Sequence, residues 1–274
     1  MTSARSRGER GASVWVVGGL GAGVLGVVAC IGGNARPPME WSCLADPAAL
    51  VDEPVLLRLV LLDEATEQPI LGARVRTCQR SDLDCVASLG GGVSNAQGAV
   101  VLTMNDEYLE ISAAGYRSTL MMGLGSLEVT SGQRVPLDVH FDLYSTASFE
   151  ALTSASGVEA DAALADVEVL ARNCAYQSAG GVVVDIDGMV PATRLRYLVN
   201  DLPSATALET DEASGSALIF NVAPGLRSVS AVVADSALPV GGQDAVLAVI
   251  ARAGWLSQVA GVPRGIRITD IEGD

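Results

Sequence analysis

The chain has 274 residues, 17 basic against 32 acidic side chains and a net charge of −15, with 49% hydrophobic and 18% charged residues. Every basic residue is arginine, so a P-loop lysine, a Schiff-base lysine and a lysine isopeptide crosslink are excluded, and the single histidine, His140, rules out paired-imidazole zinc sites. So acidic a chain is repelled by phosphate backbones, which argues against nucleic acid as a partner.

Residues 1–29 read as a signal peptide or membrane anchor. Arg5, Arg7 and Arg10 precede an uncharged apolar run from Ala12 to Ile31. A secretory signal has this charged start, an apolar stretch and small residues at the cut. A transmembrane span needs about 20 apolar residues, which the run just reaches. Its glycines at 18, 19, 21, 23 and 26 lower its hydrophobicity and favour a cleaved signal. The run ends in Val27-Val28-Ala29-Cys30. This resembles a bacterial lipobox, which implies diacylation of Cys30 and a membrane-anchored protein; an uncleaved anchor helix and a plain cleaved signal are the alternatives. From Cys30 the chain keeps 14 arginines against 31 acidic residues. Residues 30–52, with Gly32-Gly33, Pro37-Pro38 and Pro47, read as a tether.

From Val55 the hydrophobic period is two. Strands are predicted at 55–62, 98–103, 108–112 and 135–141 in the first half, and at 167–170, 181–184, 217–222, 229–233 and 245–250 in the second. Gly90-Gly91-Gly92, Asn95-Ala96-Gln97-Gly98 and Ala114-Gly115 supply turns between strands. The expected class is all-β: two tandem antiparallel β-sandwiches over 53–144 and 164–274, joined by a linker at 145–163 rich in Ala, Ser and Thr. A helical turn around 160–165 suits that linker.

Three segments of the first half arrive in a recognisable order: Thr66-Glu67-Gln68-Pro69-Ile70-Leu71-Gly72-Ala73-Arg74-Val75, Ser94-Asn95-Ala96-Gln97-Gly98 and Ile111-Ser112-Ala113-Ala114-Gly115-Tyr116. They resemble the carboxypeptidase regulatory-like domain, a transthyretin-like β-sandwich. Ser94-Asn95 stands where that family has Thr-Asp, a change that keeps the turn chemistry. The second half repeats the pattern more faintly in Thr210-Asp211-Glu212-Ala213-Ser214-Gly215 and Asn221-Val222-Ala223-Pro224-Gly225. The resemblance implies a non-enzymatic module, since this domain accompanies peptidases without carrying their zinc site.

With Cys30 acylated, four cysteines remain, which fits an oxidising compartment. Cys78 and Cys85 flank a short polar loop and are the expected pair, worth roughly 2.5 kcal/mol for a loop of about eight residues. Cys43 with Cys174 follows by elimination. A metal site at the CxxxxxxC spacing, with one distant histidine, is the weaker alternative, and neither metal nor cofactor is expected. Asp82 and Asp84, and Asp185 and Asp187, place carboxylates two apart, a spacing calcium uses, but turn-forming roles account for them. His140 lies in an alternating strand and is read as pointing outward.

The resulting expectation is a lipid-anchored cell-envelope protein with a structural or protein-interaction role, its partners the membrane and an envelope protein. The alternative is a glycan- or calcium-binding surface adhesion module, for which Trp255 is the best stacking candidate. Ile31 after Cys30, where Asp would retain a lipoprotein at the inner membrane, favours the outer membrane by analogy with known sorting.

Overall fold

The computed structural model describes residues 41, 54–104, 107–122, 137–175, 177–234, 238–240 and 246–261. Cys30, Cys43 and the apolar run of residues 12–31 lie outside them, as do residues 135–136 of one expected strand. Among the described residues, no helix is long and apolar enough to cross a membrane.

The chain is mostly β. In order the elements are β1 (Val55–Asp63), β2 (Arg74–Gln79), β3 (Gly90–Val93), β4 (Ala99–Met104), β5 (Glu107–Ser112), β6 (Thr119–Met122), β7 (Leu137–Leu143), α1 (Thr146–Ala155), β8 (Ala165–Ala171), β9 (Val182–Ile186), β10 (Arg194–Val199), β11 (Leu202–Ser204), β12 (Ser216–Val222), β13 (Gly225–Val233), β14 (Leu238–Pro239), β15 (Val246–Ala251) and β16 (Leu256–Gly261). All the predicted strands of the second half have a counterpart here, as have 55–62, 98–103, 108–112 and 137–141 of the first.

The two halves repeat one topology. In the first, β1 pairs antiparallel with β4 and parallel with β7, while β2, β5 and β6 form a second antiparallel layer. In the second, β8 pairs antiparallel with β12 and parallel with β16, while β9, β13 and β15 form the other layer. The parallel pairs depart from the all-antiparallel expectation. The last strand of each half crosses layers to lie beside the first strand, and a period of two fixes which face a residue takes without fixing strand direction.

The repeat extends to single hydrogen bonds. The Ser94 hydroxyl donates to Ile70 O at 2.5 Å and accepts from Ala73 N at 2.9 Å; the Thr210 hydroxyl donates to Ala179 O at 2.7 Å and accepts from Val182 N at 3.0 Å. Asn95 Oδ1 accepts from Gln97 N and Ala99 N, as Asp211 Oδ1 accepts from Ala213 N and Ser214 N. Each turn closes on a glycine with positive φ, Gly98 at 71° and Gly215 at 59°. A Cβ there would stand 2.4 Å from Leu61 O or 2.7 Å from Ala171 O, so no other residue fits. These turns share a hydroxyl and an Asx side chain, Ser94-Asn95 in the first half and Thr210-Asp211 in the second.

The halves are fused through one sheet. β16 is shared: its first edge pairs with β8 of its own half, and its second edge pairs in parallel with β6 of the other half. The result is a nine-stranded sheet in the order β11-β10-β12-β8-β16-β6-β5-β2-β3 that runs through both. One face carries a core of Val167, Val169, Val259, Leu120, Tyr108 and Cys78, continued by the β9-β13-β15 layer. The other face packs Leu109, Ile111 and Met121 against Leu57, Leu59 and Phe141 of the three-stranded layer β4-β1-β7.

Three local expectations are corrected. Gly90-Gly91-Gly92 is not a turn but the start of β3. A Cβ on Gly91 would lie 2.2 Å from Val75 O and one on Gly92 2.6 Å from Val100 Cγ2, so only glycine lets this edge strand lie so close to its neighbours. The helical segment is Thr146–Ala155 rather than 160–165. Ser145 caps it by accepting from Ser148 N at 3.0 Å, and Phe149 and Leu152 hold it against Tyr144, Leu218, Phe220 and Leu256 on the outer face of the second half. Residues 160–165 instead turn on Asp161, whose Oδ1 accepts from Ala163 N, and enter β8. Thirdly, Trp41, inside the expected tether, is 1% exposed and belongs to the core beside Cys78 and Tyr108.

Candidate functional site

Two polar constellations lie where the halves meet. The first is built on Glu110 of β5, 7% exposed. Its Oε1 accepts from Arg76 Nε at 2.9 Å and also pairs with Arg76 Nη2; its Oε2 accepts from Arg252 Nη1 at 2.5 Å. Both arginines then reach the disulfide loop. Arg76 Nη1 donates to Cys85 O at 3.1 Å and Arg252 Nη2 to Leu83 O at 2.5 Å, while Tyr108 Oη donates to Asp82 O at 2.6 Å. Arg252 belongs to the second half and the other members to the first, so the network ties the two together.

Cys78 and Cys85 are bonded, with Cα atoms 5.3 Å apart. Their sulfurs and the Glu110 carboxylate lie within 4.8 Å of one another. In the oxidised chain the sulfurs offer no thiolate to a metal, and both Glu110 oxygens are taken by arginine. Cys174 is also disulfide-bonded; Cys43, the partner expected for it, lies outside the described residues. Trp255 is half-buried, and the Arg252 guanidinium covers one face of its ring at 4.8 Å from the centroid. Asp187 Oδ1 accepts from Ser228 N across to β13, and Asp82 Oδ2 accepts from Ala87 N five residues on, so both are used within the fold.

The second constellation is a cavity of about 230 Å³ between β7 and the outer face of β8, β12 and β16. In β8, Val167 and Val169 point into the core, so the alternation puts Glu168 on the opposite face. There it is 2% exposed and accepts from Tyr144 Oη at 3.0 Å, Ser216 Oγ at 2.7 Å and Gln258 Nε2 at 2.5 Å. Glu64, Asp142 and Asp201 bring three more carboxylates to the walls, against Arg172 and His140. His140 itself is exposed on β7, the outward strand position expected of it, and reaches this cavity.

Burial raises the Glu168 carboxyl above its ordinary 4.5, against the pull of its three donors. Burial likewise raises Asp142 and Glu64, the Glu168 charge adding to the shift of Glu64. Tyr144 is pushed well above its ordinary 10.0 by burial and then by the Glu168 charge. A carboxyl raised by folding stabilises the native state fully below its unfolded value, and that contribution is lost as pH rises through the folded value. Urea denaturation from pH 4.5 to 7 is therefore expected to show the wild type losing more stability than Glu168→Gln, which has no proton to release. Equal slopes would contradict this.

Glu168, Gln258 and Tyr144 were not singled out by the sequence. A charged residue at the second position of Val167-Glu168-Val169 was the available signal, but an alternating strand places such residues in solvent as readily as under a covering layer. The cover comes from Tyr144 of the other half.

No protein-family model matches the chain, and no curated protein does. Solved structures that resemble it include the pilus 2b backbone protein of group B streptococcus (12% identity over 35% of this chain and 43% of that one, TM-score 0.25) and the TIE protein of Bacillus anthracis (10%, 76% and 33%, 0.25). A third is GBS52, the minor pilin of Streptococcus agalactiae (14%, 75% and 94%, 0.23). The chain thus spans less than half the length of the first two.

Proposed function

We propose that this chain is an exported, lipid-anchored cell-envelope protein whose role is structural or interaction-based, with no catalytic residue assigned. In this reading Cys30 carries the lipid, Cys43 pairs with Cys174, and two carboxypeptidase regulatory-like sandwiches, 53–144 and 164–274, form the body facing the periplasm or the cell surface, at the outer membrane. The observation that carries it is the Cys78–Cys85 disulfide, buried in the network that joins the halves, which suits a chain folded in an oxidising compartment. The paired Ser94 and Thr210 turns support the family likeness of both halves.

Labelled-palmitate incorporation in the native host tests the anchor. The wild type is expected to take up label and Cys30→Ala to lose it. Absence of label from both would overturn the lipid anchor.

A further inference from the structure

The Cys78–Cys85 disulfide lies where a bond within the first half bears on the strand that both halves share. Its sulfurs are buried beneath a surface loop whose flanks, residues 79–81 and 86–89, are exposed. Three carbonyls of this short loop are held from outside it: Asp82 O by Tyr108 Oη, Leu83 O by Arg252 Nη2 and Cys85 O by Arg76 Nη1. Cys85 itself has a φ of 50°, a left-handed conformation that costs a non-glycine residue free energy and persists only where its surroundings impose it. The bond to Cys78, the donation of Cys85 N to Asp82 O at 3.0 Å and the Arg76 contact impose it here, and the bond is the one covalent restraint of the three. Breaking it lets Cys85 relax and carries the neighbouring carbonyls away from the arginines.

The effect reaches the turn between β15 and β16. In that turn Arg252 O accepts from Trp255 N at 3.0 Å, Gly254 N donates to Leu164 O at 2.8 Å and Leu256 N donates to Ser118 O at 3.0 Å, so the turn delivers the chain into β16 between the two halves. The Arg252 guanidinium ties this turn to Leu83 O, to Glu110 and to Tyr108 Oη at 3.1 Å. Its donors are fixed in one plane, so losing Leu83 O tilts it off the other partners as well.

We propose that the Cys78–Cys85 bond is a redox-sensitive latch on the junction: closed, it presents the loop carbonyls that hold Arg252; opened, it releases Arg252 and loosens the β15–β16 turn. Opening is a two-electron reduction by a dithiol. The dithiol gives up two electrons and two protons and closes to its own disulfide, while the Sγ–Sγ bond breaks and each sulfur takes one proton. The sulfurs being buried, attack follows a local opening of the loop from its exposed flanks. The latch does not depend on the lipid anchor or on the family likeness.

Hydrogen exchange read by mass spectrometry, on the full-length protein in detergent before and after dithiothreitol, tests it, with free thiols counted by alkylation. Reduction is expected to speed exchange in residues 79–89 and, about tenfold, in residues 252–256, the scale of one lost charge-assisted hydrogen bond. Dithiothreitol also reaches the disulfide of Cys174. A Cys78→Ser, Cys85→Ser double variant therefore serves as the permanently open form: its turn should exchange fast without reductant and change no further with it. Arg252→Gln keeps the bond and cuts the connection, so its turn should be fast in both redox states; it reports even where the double variant fails to fold. A Cys78–Cys85 bond that stays closed in dithiothreitol, a turn that keeps its slow exchange once the loop has opened, or a response to reductant at the turn of the double variant or of Arg252→Gln would each overturn the proposal.

Discussion

Replacing Glu110 with alanine is expected to destabilise the chain by about 3–5 kcal/mol in urea denaturation, the range for removing one partner of a buried ion pair. The magnitude follows from what remains. Arg76 and Arg252 would keep their hydrogen bonds to Cys85 O and Leu83 O, fixed by the disulfide loop, and so could not both swing into water. Two cations, with side chains only 26% and 15% exposed, would then face each other across the vacated carboxylate. Arg252 is further held over the Trp255 ring, and its Nε already has no partner. Glu110→Gln keeps acceptor and shape while losing the charge, and should cost less. A loss below about 1 kcal/mol for Glu110→Ala would show that the network is not an anchor between the halves.

Trp41→Ala is expected to cost about 3–5 kcal/mol, the scale for deleting a buried indole from a packed core. Trp41 ranks among the largest fully buried side chains of the described chain, in contact with a core that draws on both halves. A residue in a free spacer would cost nothing when removed, so this substitution separates a tether that merely connects from one whose tryptophan completes the fold. Removing the segment that carries Trp41 should reproduce the loss. An unchanged denaturation midpoint would contradict the burial seen here.

Much of the architecture was legible because alternation is a direct record of burial. Val55 to Leu62, Tyr108 to Ser112 and Ala217 to Val222 each declared a strand, and Asn95 to Gly98 and Thr210 to Gly215 declared matching turns whose hydrogen bonds the fold repeats. Strand partners were not legible. Nothing in Leu256-Ser257-Gln258-Val259 says that it lies between two parallel neighbours, one from each half, because pairing is settled by which edges packing leaves open. The cavity was hidden for the same reason. Glu168 reads as a solvent-facing residue until Tyr144 and Gln258 are brought beside it, and those come from 24 residues before it and 90 after. The glycine run at 90–92 misled in the opposite direction, since the residues that signal a turn also permit an edge strand to press closely on its neighbours.

β16, shared between β6 and β8, makes the two repeats one cooperative body. Differential scanning calorimetry of the intact, oxidised protein tests it most directly. A single transition with equal calorimetric and van't Hoff enthalpies is expected. Two resolved transitions, one for each half, would contradict it.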